Sequence, residues 1–244
     1  MKGIILAGGA GTRLHPITKV TSKQLLPIYD RPMIYYPLQT LLNAGIKEIL
    51  IIVAPENAGD YLKLLGSGKE FKAKFAYEIQ DKPEGLAQAF IIGETFIGDD
   101  NVTMILGDNL FLADTGPITQ AIQNFKSGGI IITREVNDPE RFGVAKFDDK
   151  GELVEIIEKP KDPPSNQAVT GLYVYDNRII KFAQQLKPSA RGELEITDLN
   201  NIYLKNKELQ AIEYKGKWLD TGTFDTLLDA ANHVAELNRG SKLF

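Results

Sequence analysis

Five short β-branched runs, at residues 3–7, 48–53, 74–79, 102–106 and 129–133, constrain this chain more than any other feature. Most of them are continuously apolar. A strand with one wet face alternates apolar and polar side chains, whereas a strand buried on both faces reads as an unbroken run. Between the runs lie segments of helical length and spacing at 33–44, 60–65, 86–94 and 118–126. Alternation of this kind predicts βαβ units: a mainly parallel sheet with helices on its faces.

Beyond about residue 140 the pattern changes. Strands are predicted at 143–147, 153–157 and 169–175, separated by turn signals such as Asp149-Lys150-Gly151, which suits antiparallel additions. Helices at 177–186 and 195–205, strands at 209–214 and 218–219, and a last helix from 224 to about 238 complete the expectation. Three prolines within 159–166 bar helix and central strand, so this segment is read as a surface loop or lobe edge. No comparable linker occurs elsewhere. A chain of 244 residues, 43% hydrophobic and 25% charged, is therefore expected to form one α/β domain with a small added lobe.

Charge and composition exclude several functions. Lys plus Arg total 28 against 32 Asp plus Glu, so no basic excess drives binding to nucleic acid or an anionic membrane. With no cysteine there is no disulfide, thiolate nucleophile or Cys-ligated metal. The first apolar run is too short for a signal peptide and leads straight into glycines. No stretch approaches the ~18 apolar residues of a spanning helix, so a soluble, cytoplasmic protein is expected.

The first strand runs into Leu6-Ala7-Gly8-Gly9-Ala10-Gly11-Thr12-Arg13-Leu14. Glycines here allow backbone N–H groups to approach phosphate oxygens. The turn is not a Walker A loop, because no Gly-Lys-Ser/Thr closes it, and the dinucleotide fingerprint fails at Leu14. Arg13 and Lys23 stand where cations could neutralise a triphosphate; the alternative is a tight turn with two solvated charges. Asp108 follows the strand at 102–106 and a glycine, the end of a parallel strand where open α/β sheets place ligands. Asp220 follows Trp218-Leu219 similarly, although Asp220-Thr221-Gly222-Thr223 before a helix also reads as a cap. Only two histidines occur, His15 and His233, too few for a Ser/His/Asp or His-metal constellation.

Together these segments resemble the sugar-1-phosphate nucleotidylyltransferase family. The resemblance runs through Gly-Gly-x-Gly-Thr-Arg-Leu, Lys23-Gln24-Leu25-Leu26-Pro27, Pro32-Met33-Ile34-Tyr35-Tyr36-Pro37 and Gly107-Asp108-Asn109. It continues through Asp138-Pro139-Glu140-Arg141-Phe142-Gly143-Val144, Glu158-Lys159-Pro160, Ala168-Val169-Thr170-Gly171-Leu172-Tyr173, residues 191–198 and residues 218–223. It implies a Rossmann-like nucleotidyltransferase core with a mixed, mainly parallel sheet, a nucleotide-binding half at 1–135 and a sugar-phosphate half at 136–244.

The implied reaction is Mg²⁺-dependent transfer of a thymidylyl group from dTTP to glucose 1-phosphate, a first step toward dTDP-L-rhamnose and related deoxysugars. A relative that uses UTP or another sugar 1-phosphate and a non-catalytic nucleotide-sugar sensor are the alternatives. A sugar phosphate is already anionic, so the reaction requires positioning and charge neutralisation rather than a general base. By resemblance, Arg13, Lys23, Asp108, Lys159 and Asp220 are catalytic, with Asp108 and Asp220 on the metal. The nucleotide falls to Leu6, Gly8, Gly9, Gly11, Thr12, Arg13, Lys23, Gln24, Gln80 and Gly85. The sugar phosphate falls to Asn109, Gly143, Glu158, Lys159 and Val169, with Thr170 and Tyr173 as further positions. Tyr35, Tyr36, Phe142 and Tyr175 are read as core or subunit contacts. The resemblance also implies a homo-oligomer, a dimer of dimers. It is to the short form: longer members continue past the last helix into a regulatory nucleotide site, and that site is not carried over.

Overall fold

The computed structural model describes residues 1–238. It begins with β1 (Lys2–Ala7), then three short 3-10 turns, a small hairpin of β2 (Pro27–Ile28) and β3 (Arg31–Pro32), and α1 (Tyr35–Asn43). Next come β4 (Glu48–Val53), α2 (Ala58–Leu65), β5 (Lys74–Ile79), α3 (Gln88–Ile92), α4 (Glu94–Ile97), β6 (Val102–Leu106), β7 (Asn109–Leu112) and α5 (Gly116–Asn124). The second half contains β8 (Gly129–Glu135), β9 (Gly143–Phe147), β10 (Leu153–Glu158), β11 (Gln167–Tyr175), α6 (Ile179–Gln185), α7 (Ile196–Lys205), β12 (Leu209–Glu213), β13 (Lys217–Asp220) and α8 (Phe224–Asn238).

Among the described residues, nine strands form one sheet with the path β10-β9-β11-β6-β1-β4-β5, and β8 joins β11 to β12 beside it. The strands β6, β1, β4 and β5 pair in parallel, as the continuous apolar runs predict. β11 enters antiparallel between β6 and β8, and β9 and β10 extend the antiparallel side. β12 lies parallel to β8. The sheet is thus mixed, and a strand from the second half of the chain is built into its middle.

Burial on both faces has a direct signature. Ile5, Ala7, Ile49, Ile51, Val53 and Ile105 pack with α1, α2 and α5, while Ile4, Leu6, Leu50, Ile52 and Met104 pack with α3, α6 and α7. Successive residues of one strand therefore feed two different cores. A third cluster fixes α8 against the β2–β3 hairpin and β7 through Ile28, Met33, Leu110, Ala230 and Val234.

Three sequence expectations are corrected. The helix expected at 33–44 starts at Tyr35, because Met33 and Ile34 donate their N–H groups to the Leu26 and Gln24 carbonyls. The single helix expected at 86–94 is two, since Gly93 sits against Ile4 and Leu50 and turns the chain. β7 is absent from the sequence reading, and it pairs antiparallel with β13 in a separate two-stranded sheet.

Below the sheet, Asp176 accepts hydrogen bonds from Gly128 N–H (2.6 Å), Arg178 (2.6 Å) and the Tyr203 hydroxyl (2.9 Å). Burial alone would raise this carboxyl, but those donors outweigh it and hold it below its ordinary value. The unfolded chain therefore takes up the proton first, so this stabilisation is complete above about pH 5 and is lost as pH falls further. Asp176→Asn should lower stability by about 1–3 kcal/mol at pH 7, with the gap to wild type narrowing near pH 3. Urea unfolding at both pH values measures this. Ile51→Ala, which opens a hole in the first core, should lower stability by about 2–5 kcal/mol in the same assay at pH 7.

Candidate functional site

The parallel pairing of β1 with β6 ends both strands at one edge, with Leu6 opposite Leu106 and the Gly107 N–H donating to the Leu6 carbonyl (2.9 Å). The glycine-rich turn and Asp108 therefore emerge side by side. Asp220 arrives by another route: β13 pairs with β7 so that Asp220 lies opposite Asn109. The Thr221 N–H and hydroxyl both donate to the Asp108 carbonyl, at 3.2 and 3.0 Å. Two aspartates 112 positions apart in sequence thus become neighbours.

Two cavities meet here. The smaller, about 220 Å³, is lined by Leu6, Gly9, Gln24, Gln80, Gly85 and Leu86 among others. The larger, about 620 Å³, is lined by Arg13, Asn109, Gly143, Glu158, Lys159, Val169 and Asp220 among others. They share Leu86, Leu106, Asp108 and Glu193. Of the residues expected at the nucleotide, Leu6, Gly9, Gln24, Gln80 and Gly85 line the smaller space and Arg13 the larger one, beside those expected at the sugar phosphate, with Asp108 in both.

Four of the expected nucleotide residues line neither cavity. Lys23 is buried and forms an ion pair with Asp108, so its ammonium faces a carboxylate and not the open space. Gly8 lies beneath Gln80, whose Oε1 would be 2.2 Å from any Cβ there. Gly11, at φ +59°, abuts Lys23 and Thr18, and its carbonyl accepts from the Thr18 hydroxyl (2.8 Å). Thr12 opens an exposed 3-10 turn. Arg13, in the same turn, has its guanidinium about 3.3 Å from where a Gly222 Cβ would stand. A side chain at residue 222 would press on it.

The two aspartates are electrostatically unlike. Burial would raise the Asp108 carboxyl, but the Lys23 ammonium, with a hydrogen bond from Asn109, holds it below the ordinary range. Burial pushes the Asp220 carboxyl up, and the Asp108 charge adds to this against the pull of Arg141, which donates to Asp220 Oδ2 at 2.6 Å. Among the described residues no third carboxylate or histidine joins them. Two hard carboxylates beside adjoining open cavities fit Mg²⁺, a cation that takes its remaining ligands from phosphates and water.

Other expected residues are held by specific neighbours. Asn109 donates to Asp108 Oδ1 (3.0 Å) and accepts from Gly171 N–H (2.9 Å) and the Trp218 indole (2.8 Å), so its amide braces the site as well as lining it. Glu158 accepts from the Thr197 hydroxyl (2.6 Å) and Arg191 (3.2 Å), and a Cβ on Gly143 would sit 3.4 Å from its carboxylate. Lys159 adopts φ +43°, a left-handed conformation that costs about 1–3 kcal/mol and turns the strand end at the cavity wall. Gly85, at φ +109°, lies so close to Leu194 that no Cβ would fit against its main chain, which ties the turn after β5 to the segment before α7.

Sequence reasoning gave no role to Arg141 or Arg191, although both lie in the segments that carried the resemblance. Arg141 bridges Asp138 and Asp220, and Arg191 bridges Glu158 and Glu195. A signal was available: each is a cation just ahead of a carboxylate-rich or glycine-bearing turn. Phe142, expected as a core or subunit contact, packs against the first core and also lines the larger cavity, where it meets Trp218 edge-on with centroids 5.2 Å apart. Tyr36 and Tyr175 are buried as expected.

This arrangement has counterparts among known proteins. The family model described as Nucleotidyl transferase matches residues 2–236. The glucose-1-phosphate thymidylyltransferase of Neisseria meningitidis serogroup A is 54% identical over 240 residues, which covers 96% of this chain and 82% of that protein. A Bacillus anthracis structure assigned to the same activity, in complex with sucrose, aligns with TM-score 0.91 and 48% identity over 100% of this chain and 97% of that one. A UDP-glucose pyrophosphorylase complexed with UDP-glucose aligns with TM-score 0.84 and 31% identity, over 97% and 98% of the two chains. Because the match takes in the glycine-rich turn, both aspartates and the second-half cavity wall together, this chain belongs to the nucleotidyl transferase family.

Proposed function

We propose that this chain transfers the thymidylyl group of dTTP to glucose 1-phosphate, giving dTDP-glucose and pyrophosphate. The observation that carries this reading is the pair of contiguous cavities meeting at Asp108, one lined by Leu6, Gln24, Gln80 and Gly85, the other by Gly143, Glu158, Lys159 and Val169. Relatives named for this reaction support the substrate pair. The nucleoside occupies the smaller cavity, the sugar phosphate the larger, and the α-phosphate lies where they join.

A phosphate oxygen of glucose 1-phosphate attacks the α-phosphorus. The new O–P bond forms as the bond from that phosphorus to the bridging oxygen of the β-phosphate breaks, and pyrophosphate leaves with the electron pair. The attacking oxygen is already anionic, so in-line positioning and charge neutralisation carry the catalysis. Neither histidine lines either cavity, in keeping with this.

Arg13 faces the phosphates from the glycine-rich turn. Lys159 neutralises the sugar phosphate, and Glu158, held by Thr197 and Arg191, accepts from sugar hydroxyls. Asp108 and Asp220 would hold Mg²⁺, which would supply Lewis-acid stabilisation to phosphate oxygens. Lys23, paired with Asp108, keeps that carboxylate ionised. The protein acts in the cytoplasm as a homo-oligomer, a dimer of dimers. Both follow the resemblance to the family; no helix of the described residues is long and apolar enough to cross a membrane, and α8 exposes Phe224 and Leu228 one turn apart.

Pyrophosphate release from dTTP, UTP, ATP and GTP, each with glucose 1-phosphate and Mg²⁺ and with an EDTA control, tests the reading. Release that is metal-dependent and favours dTTP is expected. A preference for UTP would move the chain to the uridylyl relatives, and no release from folded, dTTP-binding protein would leave a nucleotide-sugar sensor. Asp220→Asn and Arg13→Ala should each lower kcat/KM by roughly 10²–10³-fold with unchanged circular dichroism, and near wild-type turnover would remove the role from that residue.

A further inference from the structure

Gln80 follows β5 directly, and its main-chain N–H donates to the Val53 carbonyl (2.8 Å). Its side chain is 3% exposed and lines the smaller cavity. A side-chain amide has two ends of nearly equal shape and opposite chemistry, so what it offers a ligand depends on what holds the other end.

Here the other end leads to a group that can only accept. The Gln88 Nε2 donates to Glu84 Oε2 at 2.9 Å, and Glu84's own main-chain N–H donates to Gln88 Oε1 at 3.1 Å. Both contacts force the Gln88 oxygen to the same side. Gln80 Nε2 donates to that oxygen at 2.6 Å. The remaining Gln80 oxygen lies over Gly8, at the wall of the cavity, and no donor among the described residues reaches it. The chain of three side chains therefore has one consistent polarity, set by the Glu84 carboxylate.

We propose that Glu84 and Gln88 are positioning residues that lock Gln80 as a hydrogen-bond acceptor toward the nucleobase, so that the site selects bases with a ring N–H at the pairing edge. Thymine and uracil have that imide N–H. Cytosine presents a lone pair from the same ring position, which would leave two acceptors facing each other in a buried site. The inference rests on the proposed reading that the smaller cavity takes the nucleoside. It goes beyond that reading in assigning the polarity of Gln80 to two residues, Glu84 and Gln88, that need not touch the base.

Two variants separate positioning from mere packing. Gln88→Met keeps bulk and removes the acceptor, which frees Gln80 to turn over. The exchange Glu84→Gln with Gln88→Glu keeps the polarity, because a carboxylate at residue 88 can only accept from Gln80 and from a glutamine at residue 84. Dissociation constants for dTTP and dCTP are measured by titration calorimetry, alongside kcat/KM for each.

Wild type is expected to prefer dTTP by at least about tenfold, Gln88→Met to lose most of that ratio, and the exchange variant to keep it. A wild type without preference, or Gln88→Met with the wild-type ratio, would overturn the relay. A preference in binding that shifts as described, from protein that never releases pyrophosphate, would support the relay while overturning the proposed reaction.

Discussion

The site depends on the parallel pairing of β1 with β6. Because both strands run the same way and stay in register to Leu6 and Leu106, their carboxyl ends deliver the glycine-rich turn and Asp108 to one edge of the sheet. A parallel pair cannot be closed by a hairpin, so the 94 residues between those strands must leave the sheet and return. In doing so they build β4, β5 and the helices that bury the first core. The smaller cavity is a product of that excursion, since Gln80 and Gly85 lie just past β5.

The second half of the chain closes the site from the opposite side. β11 lies antiparallel between β6 and β8, which brings Val169 and Gly171 beside the strand end that carries Asp108. The β7–β13 pair then sets Asp220 opposite Asn109. Two carboxylates so close would repel strongly if left alone, and the structure gives each its own cation: Lys23 for Asp108, Arg141 for Asp220. The pairing is unequal. Lys23 overcomes the effect of burial on Asp108, whereas Arg141 does not overcome it on Asp220, which also feels the Asp108 charge.

Much of this was legible in the residues. The strands at 48–53, 74–79, 102–106 and 143–147 match β4, β5, β6 and β9, and at 48–53 and 102–106 a nearly unbroken apolar, β-branched run leaves little choice of conformation. The glycine-rich turn after β1 and the position of Asp108 just past β6 are local features, and the structure has both where the sequence places them. β7 was not legible: Asn109-Leu110-Phe111-Leu112 is a short run whose pairing with β13 depends on a partner more than a hundred residues away. The same holds for Lys23. Its sequence neighbourhood points to phosphate, and only the fold reveals that the nearest anion is Asp108.

The sequence by itself determined the layered α/β architecture and the chemical inventory of the site, since apolar periodicity, glycine placement and the scarcity of cysteine and histidine are properties of the chain as written. The tertiary structure decided which groups are free to act. Whether Lys23 meets a phosphate or an aspartate depends on a partner 85 residues away in sequence, and the Gln80 amide is held by side chains four and eight residues apart that the folded turn after β5 brings together. Those contacts form only in the folded chain, where an unmatched buried polar atom is costly.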